Sequence, residues 1–191
     1  MQTTEKQPRS IKFNVAPLLG LLVISALSLS VRAADQPKPG PEHKKMEVFV
    51  GEWTYAGSGE SSPFGPAGPF KGKDTSRMVL GGFFLESRGE DTGDSGYVWQ
   101  GVALRGYDPV KKTYFLHGFE NDGIANSSST TLSGNTWTSI GSRTDTKGKV
   151  YKTRSVETFS SDGRSFTFIA EYSQDDGNTW LPMWKGTMKR V

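Results

Sequence analysis

Residues 41–57 read PEHKKMEVFVGEWTYAG, and the change of pattern at Gly51 decides the fold. Ahead of it, Pro41 suits the first turn of a helix and Glu42 lies near the positive helix end. Met46, Phe49 and Val50 share one face at i, i+3 and i+4, which predicts a short helix over 41–50. Gly51 ends that helix and opens a strand. Beyond Gly51 no segment keeps a convincing helical period.

The rest of the chain alternates strand-like runs with turn chemistry. The runs are 52–57, 73–80, 83–88, 97–107, 113–120, 124–132, 136–143, 149–159, 165–172 and 179–190. Between them stand hairpin residues such as Asn121-Asp122-Gly123, Gly134-Asn135, Lys147-Gly148 and Asp162-Gly163. Short turns between successive strands predict an all-β fold, an antiparallel up-and-down β-barrel of about ten strands. Closure removes the exposed edges that an open sheet would carry. The stretch 57–72, GSGESSPFGPAGPFKG, is the longest irregular segment and reads as a lid over one barrel end or a mobile tip.

The front of the chain reads as an export signal. Lys6, Arg9 and Lys12 precede an apolar run from Val15 to Leu29, and Val31-Arg32-Ala33 offers the small residues that a signal peptidase needs. The expected organisation is a signal peptide over 1–33, a flexible tether over 34–40 and a barrel domain over 41–191, in a periplasmic or secreted protein without a membrane anchor. The leader holds four of the 23 Lys and Arg residues and one of the 20 Asp and Glu residues, leaving 19 of each sign in the remaining 158 residues. No electrostatic case remains for a nucleic-acid partner. The chain has no Cys, which excludes thiol nucleophiles, iron–sulfur clusters and thiolate zinc sites.

Few residues point to chemistry. His43 stands in the helical lead-in, and His117 lies between Phe115 and Phe119 with no second His at metal-ligand spacing, so no metal is expected. Asp91-Thr92-Gly93-Asp94 and Asp175-Asp176 lack the ligand order of a calcium loop. Ser173 to Trp180 follows the pattern S-x-D-x-G-x-T-W, the Asp-box of sialidases, which is a turn-forming device. Scattered carboxylates cannot be paired for glycoside hydrolysis, and Ser127–Ser129 lack a nucleophile elbow. The candidates for lining a pocket are polar residues and one Trp within aromatic strands: Arg77, Arg88, Trp99, Gln100, Arg105, His117 and Glu120.

His43-x-x-Met46, Gly51-Glu52-Trp53, Arg77-x-x-Leu80-Gly81-Gly82-Phe83-Phe84, Gly106-Tyr107-Asp108-Pro109 with Tyr114, and Lys189-Arg190 together resemble the bacterial DUF1579 family. The resemblance covers roughly 41–190 and implies a calycin-like, lipocalin-like barrel with no activity to transfer. In such barrels the Gly-x-Trp indole closes one end and an Arg of the last strand stacks on it, a role that falls here on Trp53 and Arg190. The chain departs from the family at Glu120-Asn121-Asp122, where the resemblance implies Asp-Ser. Nitrobindin-like haem proteins, a neighbouring group, carry their haem-ligating His near the C-terminus. Residues 180–191 contain no His, so no cofactor is expected. The expected function is binding of a small apolar or amphipathic ligand. The alternatives are an enzyme using His117 or Glu120 as acid or base, and a structural protein whose barrel is filled by its own side chains.

Overall fold

The helical lead-in folds as α1 (Pro41–Lys45) followed by a 3₁₀ turn (Met46–Phe49), and β1 (Gly51–Gly59) begins one residue later. This computed structural model describes residues 36–94, 96 and 98–191. Residues 1–35, Ser95 and Tyr97 lie outside the described residues, and the expected leader over 1–33 lies there with them. Gly51 takes φ of +135°, and a Cβ at that position would fall 2.7 Å from Arg190 Nη1. Only glycine combines that backbone angle with that close approach. No helix among the described residues is long and apolar enough to cross a membrane.

Nine further strands follow: β2 (Gly68–Val79), β3 (Phe84–Gly93), β4 (Val98–Asp108), β5 (Thr113–Glu120), β6 (Ala125–Ser133), β7 (Thr136–Thr144), β8 (Val150–Phe159), β9 (Ser165–Ser173) and β10 (Leu181–Arg190). Each pairs antiparallel with its neighbours in sequence, and β10 pairs with β1 to close a ten-stranded barrel. The turn over 173–180 is held as its composition suggests. Asp175 accepts hydrogen bonds from the Thr179 amide at 2.8 Å and its hydroxyl at 2.7 Å, while Ser173 Oγ accepts from the Gly177 amide at 2.8 Å. Those donors hold the Asp175 carboxyl at a pKa of about 2.

Two boundaries differ from the sequence reading by five residues, the others by at most two. β2 starts at Gly68 rather than Lys73, and β3 continues to Gly93 instead of ending at Arg88. The Gly- and Pro-rich composition suggested a loop, but neighbouring ladders supply partners for both ends: Gly59 faces Gly68 and Phe70 faces Gly93. The irregular segment therefore shrinks to 60–67. Its Phe64 ring packs against Tyr151 at 5.4 Å and Tyr172 at 6.0 Å, across the mouth of the barrel.

One end of the barrel is filled. Met46 and Phe49 from the helical lead-in pack against Trp53, Leu85, Tyr114, Trp137, Phe159 and Phe166. Phe49 sits at the centre, edge-on to Trp137 at 5.3 Å, Phe159 at 4.9 Å and Phe166 at 5.8 Å. His43 belongs to this end too: it is half-buried, edge-on to Phe83 at 5.1 Å, with Nδ1 accepting from the Gly40 amide. The Trp53 indole N–H donates to Phe49 O at 2.8 Å, and the Arg190 guanidinium lies 4.4 Å from the Trp53 ring centre. Arg190 also donates to the carbonyls of Val48 at 2.9 Å and of Val50, tying the last strand to the residues that precede the first.

Candidate functional site

Above this floor the barrel holds a cavity of about 610 Å³, bounded at the mouth by the 60–67 loop. Register decides what faces it. On β4 the inward set is Trp99, Gly101, Ala103, Arg105 and Tyr107, so Val98, Gln100, Val102 and Leu104 face out. The strand's alternation alone had left that choice open. A β-bulge in β10 between Pro182 and Trp184 turns both Met183 and Trp184 toward the cavity. Trp180, which shares the face of Trp184 by simple alternation, lies instead outside the ladder under the Arg154 guanidinium, 4.5 Å from it.

Of the pocket candidates, the structure brings Trp99 and Glu120 together inside the barrel. The Trp99 indole donates to Glu120 Oε2 at 2.8 Å, Asn126 Nδ2 donates to Oε1 at 3.2 Å, and the buried Arg143 guanidinium closes an ion pair on Oε2. Arg143 is sandwiched by rings, 4.8 Å from the centre of Phe64 and 5.3 Å from that of Trp184. Both oxygens of Glu120 are thus occupied by donors, which orients the carboxylate as an acceptor.

Four other candidates take different positions. Arg77, Arg88, Gln100 and His117 stand on the outer wall. Arg77 and Arg88 both pair with Glu86, at 3.0 Å each, and the exposed His117 lies beside Phe115. The physical reason is pleat parity. Inward positions on β2 and β5 are even-numbered, marked by Asp74, Ser76 and Glu120, whereas on β3 and β4 they are odd-numbered. His117 and Glu120 therefore lie on opposite faces of one strand and share no chamber.

Arg105, the remaining candidate, anchors a second polar layer whose other members the sequence did not mark. It is 4% exposed and lies directly over the floor, its guanidinium 4.0 Å from the Phe49 ring centre. Its Nη2 donates to Glu157 at 2.7 Å, and Nη1 is buried with no hydrogen-bond partner other than the ring faces. Beside it run hydroxyl pairs, Ser76 with Ser87 at 2.6 Å and Thr130 with Ser139 at 2.7 Å. Asp74 accepts from Ser76 at 2.7 Å and Asp91 from Tyr55 at 3.2 Å. No local signal marks these hydroxyls and acids, because Ser, Thr and Asp at alternate positions of a strand ordinarily face water.

Burial governs the acids in this chamber. It pushes the Asp74 carboxyl up to about 6, with the nearby Glu157 adding to the rise and the Ser76 hydrogen bond opposing it. Asp91 is raised for the same first reason. Burial and the adjacent Asp91 hold the Tyr55 hydroxyl far above its ordinary range, so it remains a donor. An acid whose folded pKa exceeds its unfolded value binds protons preferentially in the native state, so it lowers stability as pH rises. For Asp74 the window runs from about 3.8 to about 6. Asp74→Asn is expected to raise the unfolding free energy at pH 7 by about 3 kcal/mol. The gain should vanish near pH 4, as read from urea midpoints across pH; a gain independent of pH would contradict this account.

The crystal structure of Rv2717c from M. tuberculosis superposes with a TM-score of 0.57 at 12% identity, covering 80% of this chain and 98% of that one, and shares the barrel fold. Two further similar structures are EF1p2_mFAP2b bound to DFHBI, with a TM-score of 0.45 at 12% identity over 78% and 98% of the two chains, and a de novo designed fluorescence-activating β-barrel, at 0.39, 13%, 76% and 95%. No curated protein matches the sequence. The family model for a protein of unknown function, DUF1579, matches residues 38–190, which span the helical lead-in and all ten strands of the barrel, and the chain belongs to that family.

Proposed function

We propose that this barrel is an exported binding protein that holds a small amphipathic ligand in its lumen. The observation that carries this reading is the cavity of about 610 Å³ above a floor of packed aromatic rings. That volume lies within the range of small-molecule sites, about 300–1,000 Å³. Its wall joins apolar rings, including Phe70, Phe168 and Trp184, to a few oriented polar groups, among them Glu120 held by Trp99, Asn126 and Arg143. Such a mixture suits a ligand with an apolar body and a polar end. Export, to the periplasm or the medium, rests on the basic, apolar and small-residue pattern of 1–33.

The chamber favours binding over turnover. Glu120 has both oxygens engaged, and His117 lies on the outer wall. The decisive experiment is native mass spectrometry of protein purified from its own extracytoplasmic compartment. The expected result is a co-purifying species of a few hundred daltons whose return to stripped protein raises the melting temperature. A ligand at one hundred times its Kd stabilises by about 2.7 kcal/mol. A bare protein mass, with no thermal shift across lipids, haem and metabolites, would overturn the reading.

A further inference from the structure

Four aromatic rings lie along the chamber wall because glycines make room for them. A Cβ at Gly72 would fall 2.5 Å from Tyr55 Cζ, one at Gly57 2.6 Å from Phe70 Cζ, one at Gly186 2.5 Å from Phe168 Cζ, and one at Gly101 2.5 Å from Trp99 Cζ2. In three of these pairs the ring and the glycine stand directly opposite each other on neighbouring strands. Rings that rest on bare backbone run along the wall instead of standing into the lumen, which leaves the cavity hollow and presents π faces to it. Tyr55, Phe70 and Phe168 form a triangle with centroids 6.2–6.4 Å apart. Aromatic faces carry the negative end of the ring quadrupole.

The ionic inventory of the same chamber is unbalanced. Six carboxylates line it, Glu60, Asp74, Asp91, Asp94, Glu120 and Glu157, against the guanidinium of Arg143 and, at the floor, that of Arg105. Those cations are taken: Arg143 by Glu120, and Arg105 at the floor by Glu157. Asp74 and Asp91 have no cationic partner among the described residues and are bonded only to the hydroxyls of Ser76 and Tyr55. Asp74 Oδ2 and Trp99 Cζ3 converge over Gly89, 3.4 and 3.2 Å from where its Cβ would stand. A half-buried carboxylate without a counter-charge is unfavourable, and it persists here beside π faces that also attract positive charge.

Resting on the binding function proposed above, we infer that the ligand is an organic cation. Its ammonium head sits among Asp74, Asp91 and the faces of Tyr55 and Trp99, and its apolar body lies against Phe70 and Phe168. An amphipathic anion is disfavoured because it would meet unpaired carboxylates, while the buried guanidiniums of Arg105 and Arg143 are each already ion-paired with a glutamate. Among the described residues no group of three or more His, Cys, Asp or Glu side chains is placed to hold a metal ion, whereas an ammonium needs no such coordination.

Isothermal titration of the full barrel with three probes of one chain length, decyltrimethylammonium, decanol and decanoate, tests this. The cation is expected to bind about tenfold more tightly than decanol, and decanoate more weakly than either. The Asp74→Asn/Asp91→Asn variant should lose that preference and keep its decanol affinity within about twofold. Trp99→Leu supplies a second variant, which should weaken the cation more than the alcohol. If decanol or decanoate binds as tightly as the cation, the cation inference falls while the binding function stands. If none of the three binds, the inference falls as well, and the co-purified mass then decides the binding function separately.

Discussion

Trp53→Ala is expected to lower the unfolding free energy by about 3–5 kcal/mol, the range for deleting a buried large aromatic. Trp53 is 1% exposed and meets Phe159 and Phe166 edge-on at 6.2 and 5.2 Å. Truncation opens a void at the floor, where rings from both ends of the chain meet and no flexible loop can collapse into it. It also strands the Phe49 carbonyl and removes the surface under the Arg190 guanidinium. Against a typical total stability of 5–15 kcal/mol that loss is a large fraction. Trp53→Phe keeps the packing but loses the indole hydrogen bond, and should cost about 1–2 kcal/mol. Denaturant midpoints read both. A loss below about 1 kcal/mol for the alanine variant would mean that the helical lead-in, not the indole, closes this end.

The second large effect is expected at the ion pair over the floor. Arg105→Met removes the only cation bonded to Glu157 among the described residues, a carboxylate that already shares the chamber with Asp74. Breaking one side of a buried pair costs about 3–5 kcal/mol, because the remaining charge keeps its desolvation penalty without the compensating attraction. Replacing both partners, as in Arg105→Met/Glu157→Leu, removes the stranded charge and should recover most of the loss. Equal destabilisation of the single and double variants would show that the stacking of Arg105 on Phe49, 4.0 Å away, matters more than its charge.

The strands were legible because each is bounded by residues whose turn preference is local. Asn121-Asp122-Gly123, Gly134 and Gly148 need no tertiary information to end a strand, and Gly123, Gly134 and Gly148 all take positive φ. Pairing successive strands gave the meander. The Trp53–Arg190 contact follows from closing that meander, since residue 53 of the first strand and residue 190 of the last then lie opposite each other.

Sidedness was not legible to the same degree. Apolar alternation assigns faces only when the lumen is apolar, and this lumen carries Ser76, Ser87, Arg105, Thr130, Ser139 and Glu157. On β5 the outer wall holds Phe115, His117 and Phe119, the last 53% exposed, while the inner face holds Gly118 and Glu120. An apolar-in rule therefore inverts that strand and places His117 inside. The bulge at Pro182/Trp184 adds a further shift of parity that no local pattern announces.

By itself, then, the sequence determined the elements, their antiparallel order, the family and the closed end at Gly51-Glu52-Trp53, because turn propensity, strand length and the helix-to-strand switch are properties of short segments. Only the tertiary structure decided which residues share the lumen. Facing is set by register around a closed ring of ten strands, where a one-residue change of phase moves a side chain from the chamber to the outer wall. Trp99 beside Glu120, Arg105 over Phe49, and two aspartates left without a cation among the described residues are products of that closure.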